Sequence, residues 1–241
     1  MVITKLVPQK RGSRFNIFID GKFAFGISVF IATKYKLSEN KQVSDQDILN
    51  IYKEEQVEYL KQKALDYLGA RPRSEKEVKD KLKSKLTASK IGFNYPKAIL
   101  TNGQHATGLN KVNEPIFNVN SNSKLDLESM LIEIIEEVIN FLKKYDYLND
   151  VKFASWLCEQ RLNQGKGERF IKQDLFKKGI DKKVIEQVMK ELDTKSSLDA
   201  SYKKALKKYS KDPDDYKKKQ KIYRYLLSRG FSYGEVNSLF D

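Results

Sequence analysis

Residues 147–192, YLNDVKFASWLCEQRLNQGKGERFIKQDLFKKGIDKKVIEQVMKEL, predict three short amphipathic helices. The first runs from about 151 to 162, where apolar residues recur at helical spacing: Ala154, Leu157, Cys158 and Leu162. The second starts near Gly167 and ends at Gly179, a residue type that readily adopts the left-handed conformation found just past a helix end. The third follows Asp181, whose short acidic side chain is a favoured N-cap. The stretch therefore predicts a three-helix unit.

This unit is repeated along the chain. When the sequence is shifted forward by about 51 residues, the pattern of apolar and glycine positions returns, which is the signature of a repeat architecture. Leu175 then falls on Leu226, and Gly179 falls on Gly230. The chain therefore carries a second copy of the three-helix unit after the first.

Capping boxes, in which a Ser and a Glu three residues later satisfy each other's backbone N–H groups, mark helix starts in two of the units. Ser232 with Glu235 starts the last helix of the second copy. Ser74 with Glu77 starts a helix of a third copy, which lies upstream. The last helix of that upstream copy is the segment 127–145, which has a long apolar stripe.

The ordered set of three units resembles the RecX family, the bacterial regulatory proteins of the RecA recombinase. The resemblance covers roughly residue 64 to the end of the chain, apart from an insert. It is carried by the two glycine-bounded helix turns and by these stretches: ALDYL at 64–68, RPRSEKEV at 71–78, YLND at 147–150 and FA at 153–154, with Arg161 and Gly165 after them.

The resemblance implies a fold, a partner and an activity. The fold is mainly α, with three tandem three-helix repeats in an elongated, curved array. The partner is RecA, bound as its nucleoprotein filament with single-stranded DNA, in whose helical groove the protein lodges. The implied activity is negative regulation, in which the protein inhibits the recombinase, ATPase and co-protease activities of RecA and so modulates DNA repair and the SOS response.

A small β element is expected before the repeats. Apolar residues alternate on both sides of Asp20–Gly21, and Asp-Gly is a strong signal for a two-residue hairpin turn. This turn predicts that Phe18 pairs with Phe23 and that Asn16 pairs with Phe25. Residues 2–7 are expected to add a third strand, because an isolated hairpin is marginal in water.

The predicted domains follow from these elements. The β element occupies 1–43. A helical linker and repeat 1 occupy 44–146, with an insert at 87–124 that is rich in Asn, Gly and Ser. Repeat 2 occupies 147–194, and repeat 3 occupies 195–241.

Composition limits the possible partners and locations. The 241 residues include 46 Lys and Arg against 32 Asp and Glu, giving a net charge of +14. Such a chain is attracted to nucleic acid, to acidic protein surfaces or to anionic membranes. No stretch reaches the ~20 apolar residues that span a bilayer, and the first residues lack the apolar core of a signal peptide. We therefore expect a cytoplasmic protein with no membrane partner.

The sequence offers little for catalysis. One histidine, His105, and one cysteine, Cys158, cannot form the clustered ligand sets that zinc needs. Cys158 falls on an apolar helix face, which predicts an inert core thiol. The carboxylates of Glu133, Glu136 and Glu137 are expected on the solvent face of one helix. We therefore expect no enzyme activity, no cofactor, no metal and no small-molecule substrate.

Basic side chains on the repeats are the main functional signal. Arginine can form two hydrogen bonds with a carboxylate or a phosphate. The candidate contacts to the RecA filament or to DNA are Arg71, Arg73, Arg161, Lys166, Arg169, Lys172, Lys217, Lys218, Lys221, Arg224 and Arg229. Among the interleaved tyrosines, Tyr223 or Tyr225 is expected in the core, while Tyr209 and Tyr216 either stack on bases or cover lysine stems.

Two alternatives stay open for the basic residues. In the first alternative, the basic residues only keep the protein soluble. In the second alternative, the repeats act like helix-turn-helix modules and bind single- or double-stranded DNA directly. We expect the protein to be a monomer in either case.

Overall fold

The fold comes from a computed structural model that describes residues 1–10, 14–92, 122–211 and 213–240. Most of the predicted insert, including His105, lies outside these residues. The chain divides into two compact units. The first comprises Met1–Asp66 and Lys79–Lys144, and the second comprises Tyr67–Val78 and Tyr145–Asp241.

The first unit begins with the predicted three-stranded antiparallel sheet. Its strands are β1 (Ile3–Pro8), β2 (Arg14–Ile19) and β3 (Lys22–Ser28), in the order β1-β2-β3. The turn residues Asp20 and Gly21 have φ values of 49° and 79°, and these positive angles are what the two-residue hairpin turn requires. The strand predicted for residues 2–7 is also confirmed, because β1 pairs antiparallel with β2.

The predicted hairpin register is right near the turn and wrong beyond it. Phe18 pairs with Phe23 as expected, but Asn16 pairs with Gly26 and not with Phe25. The register shifts between Ile17 and Phe18, which leaves Ala24 as an extra residue in β3, the mark of a β-bulge. The bulge turns Ala24 and its neighbour Phe25 inward together, and both are buried.

Two helices follow the sheet. The helix α1 (Val29–Lys34) is capped by Ser28, and α2 (Asp45–Leu68) starts with the reciprocal hydrogen bonds of Ser44 and Asp47. One apolar core joins the sheet to these helices. Its members include Ile3, Ile17, Ile19, Phe25, Ile27, Ile31, Ile48 and Ile51.

A buried carboxylate on α2 also ties the sheet to α1. Glu55 is 1% exposed, and its two oxygens lie 2.8 Å from the Arg14 guanidinium on β2 and 2.8 Å from the Ser28 backbone N–H that precedes α1. One buried carboxylate thus forms an ion pair with Arg14 and accepts a hydrogen bond from a helix-start N–H.

Two further helices contribute to the first unit: α3 (Glu75–Gly92), whose first residues belong to the second unit, and α4 (Asn122–Lys144). The apolar stripe of α4 is buried at Ile134, Ile135, Val138, Ile139 and Leu142. Its carboxylates face solvent, where Glu133 pairs with Lys53 and Glu136 with Lys79. These ion pairs agree with a solvated face of the helix.

The second unit contains the helices predicted for repeats 2 and 3. Repeat 2 consists of α5 (Asp150–Asn163), α6 (Glu168–Lys177) and α7 (Lys182–Lys190). Repeat 3 consists of α8 (Lys195–Lys208), α9 (Asp215–Ser228) and α10 (Tyr233–Asn237). The expected boundaries hold: Gly167 is the N-cap of α6, Gly179 has a φ of 77°, and Asp181 caps α7.

Each of these repeats has its own core. Repeat 2 buries Ala154, Leu157 and Cys158 as predicted, and also Phe153, which the spacing argument missed. Burial, helped by the charge of Glu159, raises the pKa of the Cys158 thiol to about 11, so the thiol stays protonated near neutral pH.

The tyrosines of repeat 3 divide into two groups. Tyr223 and Tyr225 pack against the core as expected, and so does Tyr209. Tyr209 and Tyr216 were both expected to stack on bases or to cover lysine stems. Of these two, Tyr216 faces solvent, with 71% of its surface exposed.

Candidate partner-binding surface

The second helices of repeats 1 and 2 are α3 and α6. The start of α3, which belongs to the second unit, packs against the end of α6. The Ser74 hydroxyl, at the start of α3, donates to the carbonyl of Lys178 at the end of α6 over 2.8 Å. The same hydroxyl accepts from the backbone N–H of Glu77, as the capping box predicts. A Cβ at Gly179 would lie 2.8 Å from the Lys76 side chain. The two helix ends are thus packed closely.

Glu77 forms ion pairs with two basic side chains at this junction. Arg71 donates to both of its carboxylate oxygens, over 3.0 and 3.2 Å, and Lys178 donates from the other repeat over 2.7 Å. Burial alone would raise the pKa of Glu77, but the hydrogen bonds and charges of Arg71 and Lys178 lower it to about 2. Both of these basic residues are therefore engaged in contacts within the protein, and Arg71 also lies over the Trp156 ring.

The junction predicts an acid-dependent loss of stability. Because the pKa of Glu77 in the folded protein is lower than its ordinary value of 4.5, its contribution is present above about pH 4.5 and disappears as the pH falls towards 2. We expect Glu77→Gln to be less stable than the natural protein at pH 7, with the difference shrinking at pH 3 and below. Urea midpoints at several pH values measure this, and a constant difference would contradict it.

The junction between repeats 2 and 3 places the helix ends in the same order but joins them through backbone N–H groups. The N–H of Gly167, at the start of α6, donates to the carbonyl of Arg229 at the end of α9 over 2.9 Å. The N–H of Arg169 donates to the carbonyl of Gly230 over 3.0 Å. In both junctions the positive N-terminal end of one second helix thus meets the negative C-terminal end of the next, a favourable arrangement of helix dipoles.

The glycine-containing turn 164–167 is docked onto repeat 3. Ser201 and Ser197 of α8 donate from their hydroxyls to the carbonyls of Gly165 and Lys166, over 3.0 and 3.1 Å. Both serines are buried. The turn is therefore an inter-helix connection that also joins two repeats, and the buried serines were missed because single serines carry no sequence signal.

Three candidate residues gather beside this turn and interact within the protein. Arg161 pairs with Asp174 over 2.6 Å. Arg229 donates to the Tyr225 hydroxyl over 2.8 Å. Lys166 lies 3.9 Å from the centre of the Phe170 ring. Burial lowers the pKa of Lys166, and the positive charges of Arg229 and Arg161 lower it further.

The other candidate residues are spread over the surface. Lys172 pairs with Glu168, and Lys217 pairs with Asp214. Arg169 and Arg224 are exposed and form neither an ion pair nor a side-chain hydrogen bond with any residue that the structure describes. Lys221 is also exposed, and Lys218 is half-buried. Arg73 lies elsewhere, over the Tyr67 ring.

Four family descriptions match successive parts of the chain. The N-terminal domain of the regulatory protein RecX matches residues 1–44. The first, second and third three-helix domains of RecX match 61–89, 149–189 and 197–240. The chain belongs to the RecX family.

RecX relatives resemble the chain over nearly its whole length. The regulatory protein RecX of Clostridium beijerinckii is 29% identical over 235 residues, which cover 95% of this chain and 90% of that protein. The RecX of Clostridioides difficile is also 29% identical, covering 100% of this chain and 94% of that protein. These relatives are named as regulatory proteins and not as enzymes.

Solved RecX structures share the fold. One crystal structure of RecX superposes with a TM-score of 0.60 at 22% identity, covering 98% of this chain and 97% of that one. RecX from Lactobacillus salivarius gives a TM-score of 0.51 at 25% identity over 77% of this chain and 94% of that one. The sheet followed by three-helix units is therefore the RecX architecture.

Two kinds of feature are absent from the part of this RecX chain that the structure describes. Within residues 1–10, 14–92, 122–211 and 213–240, His, Cys, Asp and Glu form no group of three or more that could hold a metal ion. None of the helices in that part of the chain combines the length and the apolar character that crossing a membrane requires.

Proposed function

We propose that this chain binds the nucleoprotein filament of RecA on single-stranded DNA and inhibits its recombinase, ATPase and co-protease activities. The observation that carries the proposal is the match to all four RecX domains in order. The naming of the relatives as regulatory proteins supports a regulator that acts on another enzyme.

The distribution of charge supports the same proposal. The net charge of +14 favours association with an acidic filament. Repeat 3 carries exposed cations on both of its longer helices: Lys203, Lys204, Lys207, Lys219, Lys221 and Arg224. Several repeats on one chain bind adjacent sites at high effective concentration, so that many weak contacts together give tight binding.

Direct DNA binding is the second candidate, and one observation favours it. Tyr216 is 71% exposed and precedes the Lys217–Lys219 run. An exposed aromatic ring next to lysines is a platform on which a single-stranded base stacks while the phosphates contact the cations.

The ATPase of RecA separates the two candidates. We would measure the single-stranded-DNA-dependent ATPase with substoichiometric amounts of the protein, and its binding to the same DNA without RecA. Inhibition at amounts too low to coat the DNA supports filament regulation. Inhibition that begins only when the DNA is saturated supports competition for DNA.

Reversing two unpaired charges is expected to weaken binding to the filament without unfolding the protein. Arg169 and Arg224 suit this test, whereas Arg161→Glu would place a second carboxylate against Asp174. Because each exposed contact contributes up to about 1 kcal/mol and reversal adds repulsion, we expect Arg169→Glu with Arg224→Glu to reduce filament affinity by roughly tenfold or more.

A matched control is a second double variant whose net charge equals that of the first. Lys183→Glu with Lys190→Glu makes an equal charge change on α7, at two exposed residues that form no ion pair with any described residue and lie outside the candidate set. Biolayer interferometry on immobilised filaments gives the affinities, and melting curves report folding. Equal losses for the two double variants would mean that only net charge matters, which would contradict the assignment.

A further inference from the structure

A small basic pocket lies in the second unit, between the segment 68–73 and the start of α5. Its volume is about 300 Å³. Arg71, Arg73 and Lys152 bring three positive charges to its wall, and Asp146 brings one negative charge. Leu68, Pro72 and the Tyr147 ring supply apolar surface.

Arg73 is the unusual member of this pocket. Its guanidinium lies 4.0 Å from the centre of the Tyr67 ring, which holds it by a cation–π interaction. Its Nε is buried and has no hydrogen-bond partner, and the side chain forms no ion pair with any described residue. Buried polar atoms are nearly always hydrogen-bonded, so the Arg73 guanidinium keeps donor capacity that the described residues leave unused.

The other cations of the pocket already have anionic partners. Arg71 forms two hydrogen bonds with Glu77. Lys152 pairs with Asp146. The single positive charge of Arg73 is therefore left unbalanced, fixed in orientation by the ring beneath it.

We propose that this pocket receives the carboxylate of one Asp or Glu side chain from a protein partner, with Arg73 as its main ligand. A planar guanidinium held on a ring is suited to two parallel hydrogen bonds with a carboxylate. One unbalanced positive charge, in a pocket whose other charged groups already have partners, matches one carboxylate. The multiple charges of a DNA backbone are matched instead by the exposed lysines of repeat 3. The inference rests on the proposed function, under which the partner is the RecA filament.

The first test compares Arg73→Gln and Arg73→Lys for affinity to the RecA filament and to bare single-stranded DNA. We expect Arg73→Gln to weaken filament binding by about thirtyfold, because a hydrogen-bonded charge pair is lost. Arg73→Lys should recover only part of this, since an ammonium cannot form the paired hydrogen bonds. Affinity for bare DNA should not change. Lys182→Gln, an exposed site with the same loss of charge, is the control.

The outcomes separate the inference from the proposed function. If the natural protein binds the filament and Arg73→Gln binds it equally well, the inference is wrong and the proposed function stands. If Arg73→Gln weakens binding to bare DNA and reduces the salt dependence, the pocket takes a phosphate and the inference is also wrong. If the natural protein does not bind the filament, the proposed function fails.

A second measurement tests the pocket without RecA and without a variant. The ¹⁵N–¹H signal of the Arg73 side-chain Nε is followed while an acetylated, amidated hexaglutamate peptide is added to the natural protein. We expect a saturable shift with hexaglutamate and none with hexaglutamine. A signal that does not move with hexaglutamate, or that moves only with inorganic phosphate, would overturn the inference even if the Arg73 variants fail to fold.

Discussion

Replacing Gly167 with alanine is expected to lower the free energy of unfolding of the second unit by about 3 kcal/mol, the upper part of the range for overpacked sites. A Cβ at this position would lie 2.5 Å from the carbonyl carbon of Gly230 and 2.5 Å from the backbone nitrogen of Phe231. Backbone atoms cannot rotate away as a side chain can. The start of α6 must therefore move off α9, which breaks the hydrogen bonds that Gly167 and Arg169 donate.

The chain offers both a probe and a control for this change. The only tryptophan, Trp156, packs against the core of repeat 2, so its fluorescence during urea unfolding reports on the second unit. Gly234→Ala is the matched control, because a Cβ there meets nothing within 4 Å. We expect that variant to be neutral or more stable by about 0.5 kcal/mol. Similar midpoints for the two variants would show that the close approach at Gly167 does not matter.

Replacing Glu55 with alanine is expected to cost the first unit about 3 kcal/mol, as for other buried pairs that lose one partner. The carboxylate is 1% exposed, so its removal leaves a cavity and an unsatisfied N–H at Ser28. It also leaves Arg14 without its partner, although the Arg14 side chain is 36% exposed and regains some hydration.

The neighbouring residue provides the control for Glu55. Glu54 pairs with Lys34 at the surface, with 37% of its side chain exposed, so Glu54→Ala should cost no more than about 1 kcal/mol. Because the tryptophan lies in the other unit, hydrogen exchange of the strand and α1 amides is the appropriate measurement. Faster exchange in Glu54→Ala than in Glu55→Ala would reverse the assigned importance of the two carboxylates.

Local chemistry explains which parts of the fold the sequence could predict. The Asp20–Gly21 turn and the Ser74 and Ser232 capping boxes involve residues within three positions of each other, so their patterns carry enough information. The predicted hairpin register was wrong beyond the turn because the bulge at Ala24 depends on which residues the core accepts. That preference is a property of packing and not of alternation along a strand.

The candidate site was harder to predict than the fold. The sequence identified the basic residues, but it could not show which of them have internal partners. Lys178 reaches Glu77 from 101 residues away, and Arg161 on α5 reaches Asp174 on the next helix, α6. Arg169 and Arg224 look the same as these residues in sequence, and only the folded chain separates them.

The end-to-end contact between second helices has an evolutionary consequence. The middle one of these helices, α6, carries one half of a junction at its start, Gly167, and the other half at its end, Lys178. A gene duplication of one repeat would thus supply both halves of a new interface at once. The length of such a protein can then change in whole repeats, while the later divergence of side chains, such as Glu77 at one junction and Phe170 at the other, gives each copy its own role.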